Sequence, residues 1–193
     1  MELYEVINQM SEGAADGWGR AYYHVMPRLI KERNLKVGAE IGVAYGGHAE
    51  AMVKAGVKTL YAVDPYQPDW NGTDGYSLPD GKHFGKEEYE ELFLHALHRL
   101  RRAGNKPDLM RMTSAEAFAL VREPLDFVFI DAKHTYENLY TDIFLWQRRV
   151  KKGGIIAGHD FDHPSYPGIR RAVTEHFNNY NLEDGFVWWT VKK

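Results

Sequence analysis

The sequence predicts an α/β fold, a doubly wound, mostly parallel sheet with helices on both faces. Three observations carry that expectation. Short apolar, strand-like runs alternate with helix-length segments along the chain. Polar and acidic residues recur where those runs end, at Glu40, Asp64, Ser114, Asp131 and His159-Asp160. In open α/β sheets ligands bind beyond the carboxyl ends of the strands. Finally, residues 37–47 read as a buried strand, a glycine-rich turn and a helix N-terminus, a combination that can cradle a small molecule.

Taken in order, residues 1–19 are polar and bear Gly13, Gly17 and Gly19, which suggests a short helix and a loop. Residues 20–33 space Tyr22, Tyr23, Val25, Met26, Leu29 and Ile30 as a helix would, with Pro27 marking a kink or restart. Residues 37–43 form a first strand and 46–55 a helix stopped by Gly56. Residues 59–63 form a second strand ending at Asp64-Pro65. Residues 66–85 lack periodicity over a stretch long for a connection, which suits a lid or a substrate-binding element, with disorder as the alternative. A helix over 86–102, a strand over 109–112 and a helix capped by Ser114 follow. The apolar run 125–130 ends at Asp131 and leads to a helix over 136–150. A strand over 154–158, a helix over 168–177 and a strand over 186–191 complete the chain.

At 193 residues and 44% hydrophobic content, one domain spanning 1–193 is expected. A net charge of −3 argues against a nucleic-acid partner. The basic runs at 99–102 and 148–152 fall near helix ends, where cations suit the helix dipole. With no cysteine there are no disulfides, thiolate metal sites or cysteine nucleophile, and a reducing, cytoplasmic setting is expected. No signal peptide or membrane span is evident. The oligomeric state stays open, a homodimer included.

The dinucleotide fingerprint is Gly-x-Gly-x-x-Gly. This chain instead has Glu40-x-Gly42-x-x-x-Gly46-Gly47. An acid ahead of the turn suits a ligand with a positive amine better than a pyrophosphate. Asp64 lies about 20 residues on, where a carboxylate can accept ribose hydroxyls. On these residues the chain resembles the class I S-adenosylmethionine-dependent methyltransferases, whose fold is a Rossmann-like seven-stranded sheet. The resemblance implies that Glu40, Gly42, Gly46 and Gly47 hold the methionine portion, Asp64 the ribose, and Ser114 and Ala115 the adenine, with Asp131 beside the cofactor.

A second constellation follows the fourth and fifth strands. Neighbouring strand ends lie close enough for Asp131, His159 and Asp160 to converge. Oxygen ligands suit Mg²⁺, and a histidine also admits Mn²⁺ or another divalent metal. This part is similar to metal-dependent O-methyltransferases and to the methyltransferase 24 group. The resemblance implies a divalent ion on Asp131, His159 and Asp160, with His134 as the base that deprotonates a substrate hydroxyl. His159 stands where those relatives carry an acid, and could instead position a substrate or bond to backbone as a structural residue. His134 could instead cap the next helix.

Methyl transfer to a hydroxyl oxygen of a small-molecule acceptor is thus expected. A nucleotide-dependent oxidoreductase on the same fold and a non-catalytic cofactor-binding module are the alternatives. Residues 1–33 and 66–85 are expected to face the acceptor, with Trp70, Tyr76, His83 and Phe84 as hints.

Overall fold

The computed structural model describes residues 2–16, 22–68, 75–104, 107–183 and 186–193. Gly17, Gly19 and Trp70 lie outside them.

Seven strands form one sheet: β1 (Val37–Ile41), β2 (Thr59–Val63), β3 (Asp108–Met110), β4 (Leu125–Ile130), β5 (Val150–Gly158), β6 (Asn181–Glu183) and β7 (Val187–Val191). Their order is β3-β2-β1-β4-β5-β7-β6. The first five run parallel, and β7 pairs antiparallel with β5 and with β6. The fold class is the one the sequence predicts. β6 is the strand that sequence reading missed, because its three residues are too few to show a period and two of them are exposed.

The helices are α1 (Leu3–Asp16), α2 (Val25–Arg33), α3 (Gly47–Lys54), α4 (Lys86–Arg102), α5 (Ser114–Leu120), α6 (Tyr136–Trp146) and α7 (Pro167–His176). Pro27 sits in the first turn of α2, where a missing N–H costs little, so the helix starts there rather than kinking. Thr113, not Ser114, caps α5; it accepts from the Glu116 amide while the Glu116 carboxylate accepts from the Thr113 amide. Helix α6 ends at Trp146, four residues early, and β5 begins at Val150 rather than Gly154.

The sheet separates two cores. Phe127 and Phe129 of β4 and Ile155 and Ala157 of β5 face the core built with α1 to α4. Val128, Ile130 and Ile156 face the core built with α5 to α7. This is the period-two alternation of a strand covered on both faces, and it explains the nearly continuous apolar run at 125–130. At the opposite edge from the strand carboxyl ends, Asp126 accepts from the Lys36 and Val37 amides at 2.7 and 2.9 Å and pairs with Lys151 at 2.9 Å. One side chain thereby ties the starts of β1, β4 and β5. No helix among the described residues is long and apolar enough to cross a membrane.

The N-terminal helix docks on α4 through a buried polar contact, His95 Nε2 to Ser11 Oγ at 3.1 Å. Burial, helped by Arg99 and His98, pulls the His95 imidazole from 6.5 down to about 4. Between those values the unfolded chain binds a proton that the folded chain refuses, so stability falls as pH is lowered through that window. Denaturant melts at pH 7.5 and 4.5 should show a loss on the order of 2 kcal/mol attributable to this residue. His95→Gln should remove that part of the pH dependence.

Candidate active site

The site is built at the carboxyl ends of β1, β2, β4 and β5. The Gly42 amide donates to the Val63 carbonyl, and the Asp131 amide to the Ile41 carbonyl, each at 2.8 Å. Gly42 has φ 89°, and a Cβ there would lie 1.9 Å from the Asp131 carbonyl oxygen. Glycine is therefore required twice over, by conformation and by space. Ala44 at φ 51° and Gly46 at φ 76° bend the loop further into the left-handed region. The non-glycine Ala44 is held there by neighbours. Asp64 Oδ2 accepts from the Val43 and Ala44 amides at 3.0 and 3.1 Å, and Oδ1 accepts from the Tyr66 amide at 2.9 Å. The Tyr66 hydroxyl donates to the Ala44 carbonyl at 3.0 Å. Burial raises the Asp64 carboxyl, and these three amides pull against it. The acid expected to hold a ribose thus also fixes the loop.

Glu40 is 2% exposed, and its Oε1 lies 2.7 Å from His48 Nδ1. Its Oε2 is buried with no hydrogen-bond partner, as is His48 Nε2. Burial raises the Glu40 carboxyl against the pull of His48. An orphaned buried carboxylate oxygen next to a glycine turn is where a ligand ammonium fits.

The second constellation gathers at the ends of β4 and β5. His134 Nε2 lies 2.8 Å from Asp160 Oδ2 and 3.5 Å from Asp131 Oδ1. His159 Nδ1 lies 3.3 Å from Asp160 Oδ1 and 3.8 Å from Asp131 Oδ1. Asp131, His134 and Asp160 each offer a ligand atom, all within 4.8 Å of one another. His134 therefore shares the cluster that the sequence assigns to Asp131, His159 and Asp160. Burial alone would raise the Asp160 carboxyl, but hydrogen bonds from His134 and His159 hold it well below the usual carboxylate range. The backbone of Asp160 is itself left-handed, at φ 62°.

Aromatic rings frame this cluster. Tyr22 donates to Asp131 Oδ2 at 2.9 Å, and its ring lies 4.1 Å from that of His159. Tyr166 stacks between His134 and His163, at 4.3 and 4.8 Å. Sequence reading missed Tyr22 and Tyr166. Tyr22 carried only the signal of a core helix position.

Ser114 has partners on α6. Its hydroxyl donates to Asp142 Oδ1 and accepts from Trp146 Nε1 at 2.9 Å. Ser114 and Ala115, the two residues expected to meet adenine, both line the cavity described below. Asp142 did leave a signal: it interrupts the apolar stripe of Leu139, Ile143 and Trp146 on that helix.

The glycine loop and the acid–histidine cluster open into one cavity of about 990 Å³, large enough for a nucleoside-sized ligand and a second small molecule. Of the residues expected in the site, all but Gly46 and Gly47 line it. Gly47 lies behind, where a Cβ would meet the Tyr23 ring. Tyr76 from the 66–85 loop lines the cavity as well. Phe84 packs into the core instead, and His83 binds Ser77 at 3.1 Å.

The profile of the methyltransferase domain family known as methyltransferase 24 matches residues 35–161. The sequence matches none of the curated proteins with which it was compared. Among solved structures, the chain is similar to a caffeoyl-CoA O-methyltransferase candidate from Staphylococcus aureus, with 14% identity, TM-score 0.67, and 97% and 92% of the two chains covered. It is similar to an O-methyltransferase from Bacillus cereus in complex with SAH, with 15% identity, TM-score 0.62, and 98% and 90% covered. A ribosomal protein L11 methylase from Lactobacillus delbrueckii subsp. bulgaricus has 17% identity, TM-score 0.56, and 87% and 77% covered. These neighbours share the fold.

Gly42→Ala should lower the melting temperature by at least about 5 °C, because the loop must open against Asp131 or adopt a strained backbone. Gly13→Ala, in helix α1 with nothing within 4 Å of its added Cβ, should leave the melting temperature unchanged or raise it. Differential scanning calorimetry of both variants checks this.

Proposed function

This chain belongs to the methyltransferase 24 family of class I S-adenosylmethionine-dependent methyltransferases, and from that membership we propose that it methylates a hydroxyl oxygen of a small molecule. The observation that carries the acceptor assignment is the His134–Asp160 contact at 2.8 Å, beside Asp131 and in the same cavity as the glycine loop.

The residues present fit the cofactor. The orphaned Glu40 Oε2 and the loop bounded by Gly42 and Gly46 can receive its amino-acid end, and Asp64 Oδ1, which accepts from one amide, keeps a lone pair for a ribose hydroxyl. When bound, S-adenosylmethionine supplies an electrophilic methyl group. His134 takes the proton of the acceptor hydroxyl as the oxygen attacks, and Asp160 stabilises the charge that the ring acquires. The cavity wall holds the acceptor oxygen in line, which accounts for much of the acceleration in a two-substrate transfer. Tyr22 and Tyr23 from the N-terminal segment and Tyr76 from the 66–85 loop line the cavity, which supports an acceptor-facing role for both segments.

A divalent ion is part of this reading. Asp131 and Asp160 would hold it together with His159, and it would lower the pKa of the acceptor hydroxyl. A donor set containing imidazole suits Mn²⁺ or another transition ion better than Mg²⁺.

Calorimetry should show wild type binding S-adenosylhomocysteine; no binding would overturn the proposal. His134→Ala should bind that ligand within about twofold of wild type, yet lose about 10²- to 10⁴-fold in turnover on an acceptor found by mass-spectrometric screening. Unchanged turnover would remove His134 from the mechanism. No methylated product across hydroxyl acceptors would favour a cofactor-binding module.

A further inference from the structure

Tyr22 is buried, lines the cavity, and precedes residues 35–161, the span of the family match. Its ring has an ordinary packing role. It stacks on Phe129 of β4 at 6.0 Å and 9°, and lies 5.2 Å from the His48 ring. A phenylalanine would serve that role as well. The hydroxyl needs a separate account, because burying it costs free energy unless it finds a partner. Its partner is Asp131 Oδ2, at 2.9 Å and 109 positions away. The ring meanwhile lies 4.1 Å from that of His159, tilted by 30°. One side chain therefore touches Asp131 and His159, two of the residues proposed to hold a divalent ion. The other Asp131 oxygen, Oδ1, faces the cluster, 3.5 Å from His134 Nε2 and 3.8 Å from His159 Nδ1.

We infer that Tyr22 is a positioning residue for the ion: its hydroxyl engages Asp131 Oδ2 and so presents Oδ1 to the cluster, while its ring sets the plane of the His159 imidazole. The inference rests on the divalent-ion reading of Asp131, His159 and Asp160. A carboxylate held by neither oxygen turns broadly about its terminal bond, and that freedom is lost when an ion binds. A hydrogen bond that orients the carboxylate beforehand removes much of this cost, as partners of metal ligands do elsewhere. It also leaves Asp131 one oxygen for the ion. The N-terminal segment thus completes a site whose ligands all lie within the family match. A merely structural tether between that segment and β4 would use the same bond, yet ion binding would be indifferent to the hydroxyl.

Tyr22→Phe keeps the ring and removes the hydroxyl. Calorimetry with Mn²⁺, on protein saturated with S-adenosylhomocysteine, separates the cases. The variant should bind Mn²⁺ at least about tenfold more weakly than wild type, the effect of losing a group that orients a metal ligand. It should bind S-adenosylhomocysteine within about threefold of wild type. A Mn²⁺ affinity within about threefold of wild type would overturn the inference. So would an equal loss of both ligands, the mark of a structural tether. Wild type that binds S-adenosylhomocysteine but no Mn²⁺ would sink the divalent-ion reading, and this inference with it. Should Tyr22→Phe fail to fold, a crystal structure of wild type with Mn²⁺ still decides. Asp131 should meet the ion through Oδ1 while Oδ2 keeps the Tyr22 hydroxyl; coordination through both oxygens, or a displaced Tyr22, would overturn the inference.

Discussion

The site depends on how closely two backbones approach one another at Gly42. The end of β4 comes so near that a Cβ on residue 42 would overlap the Asp131 carbonyl. That approach has two consequences. It turns the chain sharply out of β1 into the loop that leads to α3, and it brings Asp131 alongside that loop. The glycine loop and the Asp131–His134–Asp160 cluster are thus one structure, joined through a missing side chain. Asp64 completes it from β2 by clamping the Val43 and Ala44 amides, so three neighbouring strand ends fix one another.

The electrostatics follow from this geometry. Glu40, Asp64, Asp131, Asp142 and Asp160 all line the cavity, and Lys133 is the one lysine or arginine among its described lining residues. Histidines 48, 134 and 159 stand beside the acids instead. A cavity walled this way favours a ligand that carries positive charge, and S-adenosylmethionine carries both an ammonium and a sulfonium. The same walls would disfavour a pyrophosphate, as the acid at the start of the glycine motif already suggested.

Much of this was legible in the sequence, and the reasons are physical. A loop that needs left-handed φ declares itself by glycine, and strands covered on both faces declare themselves by unbroken apolar runs. Acids at strand ends stand out against such runs, so Glu40, Asp64, Asp131 and Asp160 could be picked out one by one. Partnerships were harder to read. Ser114 was visible as a small polar residue after β3, but its bond to Asp142 spans 28 positions and depends on how α6 packs. Tyr22 reaches Asp131 across 109 positions from a segment outside the family match. Its helical spacing disclosed only that it would be buried. The sequence marked the acids at the strand ends and left open which side chains would touch them.

The central claim is that one cavity holds both S-adenosylmethionine and the groups that activate its acceptor. A crystal structure with S-adenosylhomocysteine tests it most directly. The ligand should lie with its ribose at Asp64, its amino group at Glu40 and its sulfur turned toward Asp131 and His134. A sulfur turned away from His134, or a ligand bound clear of the Gly42 loop, would contradict it.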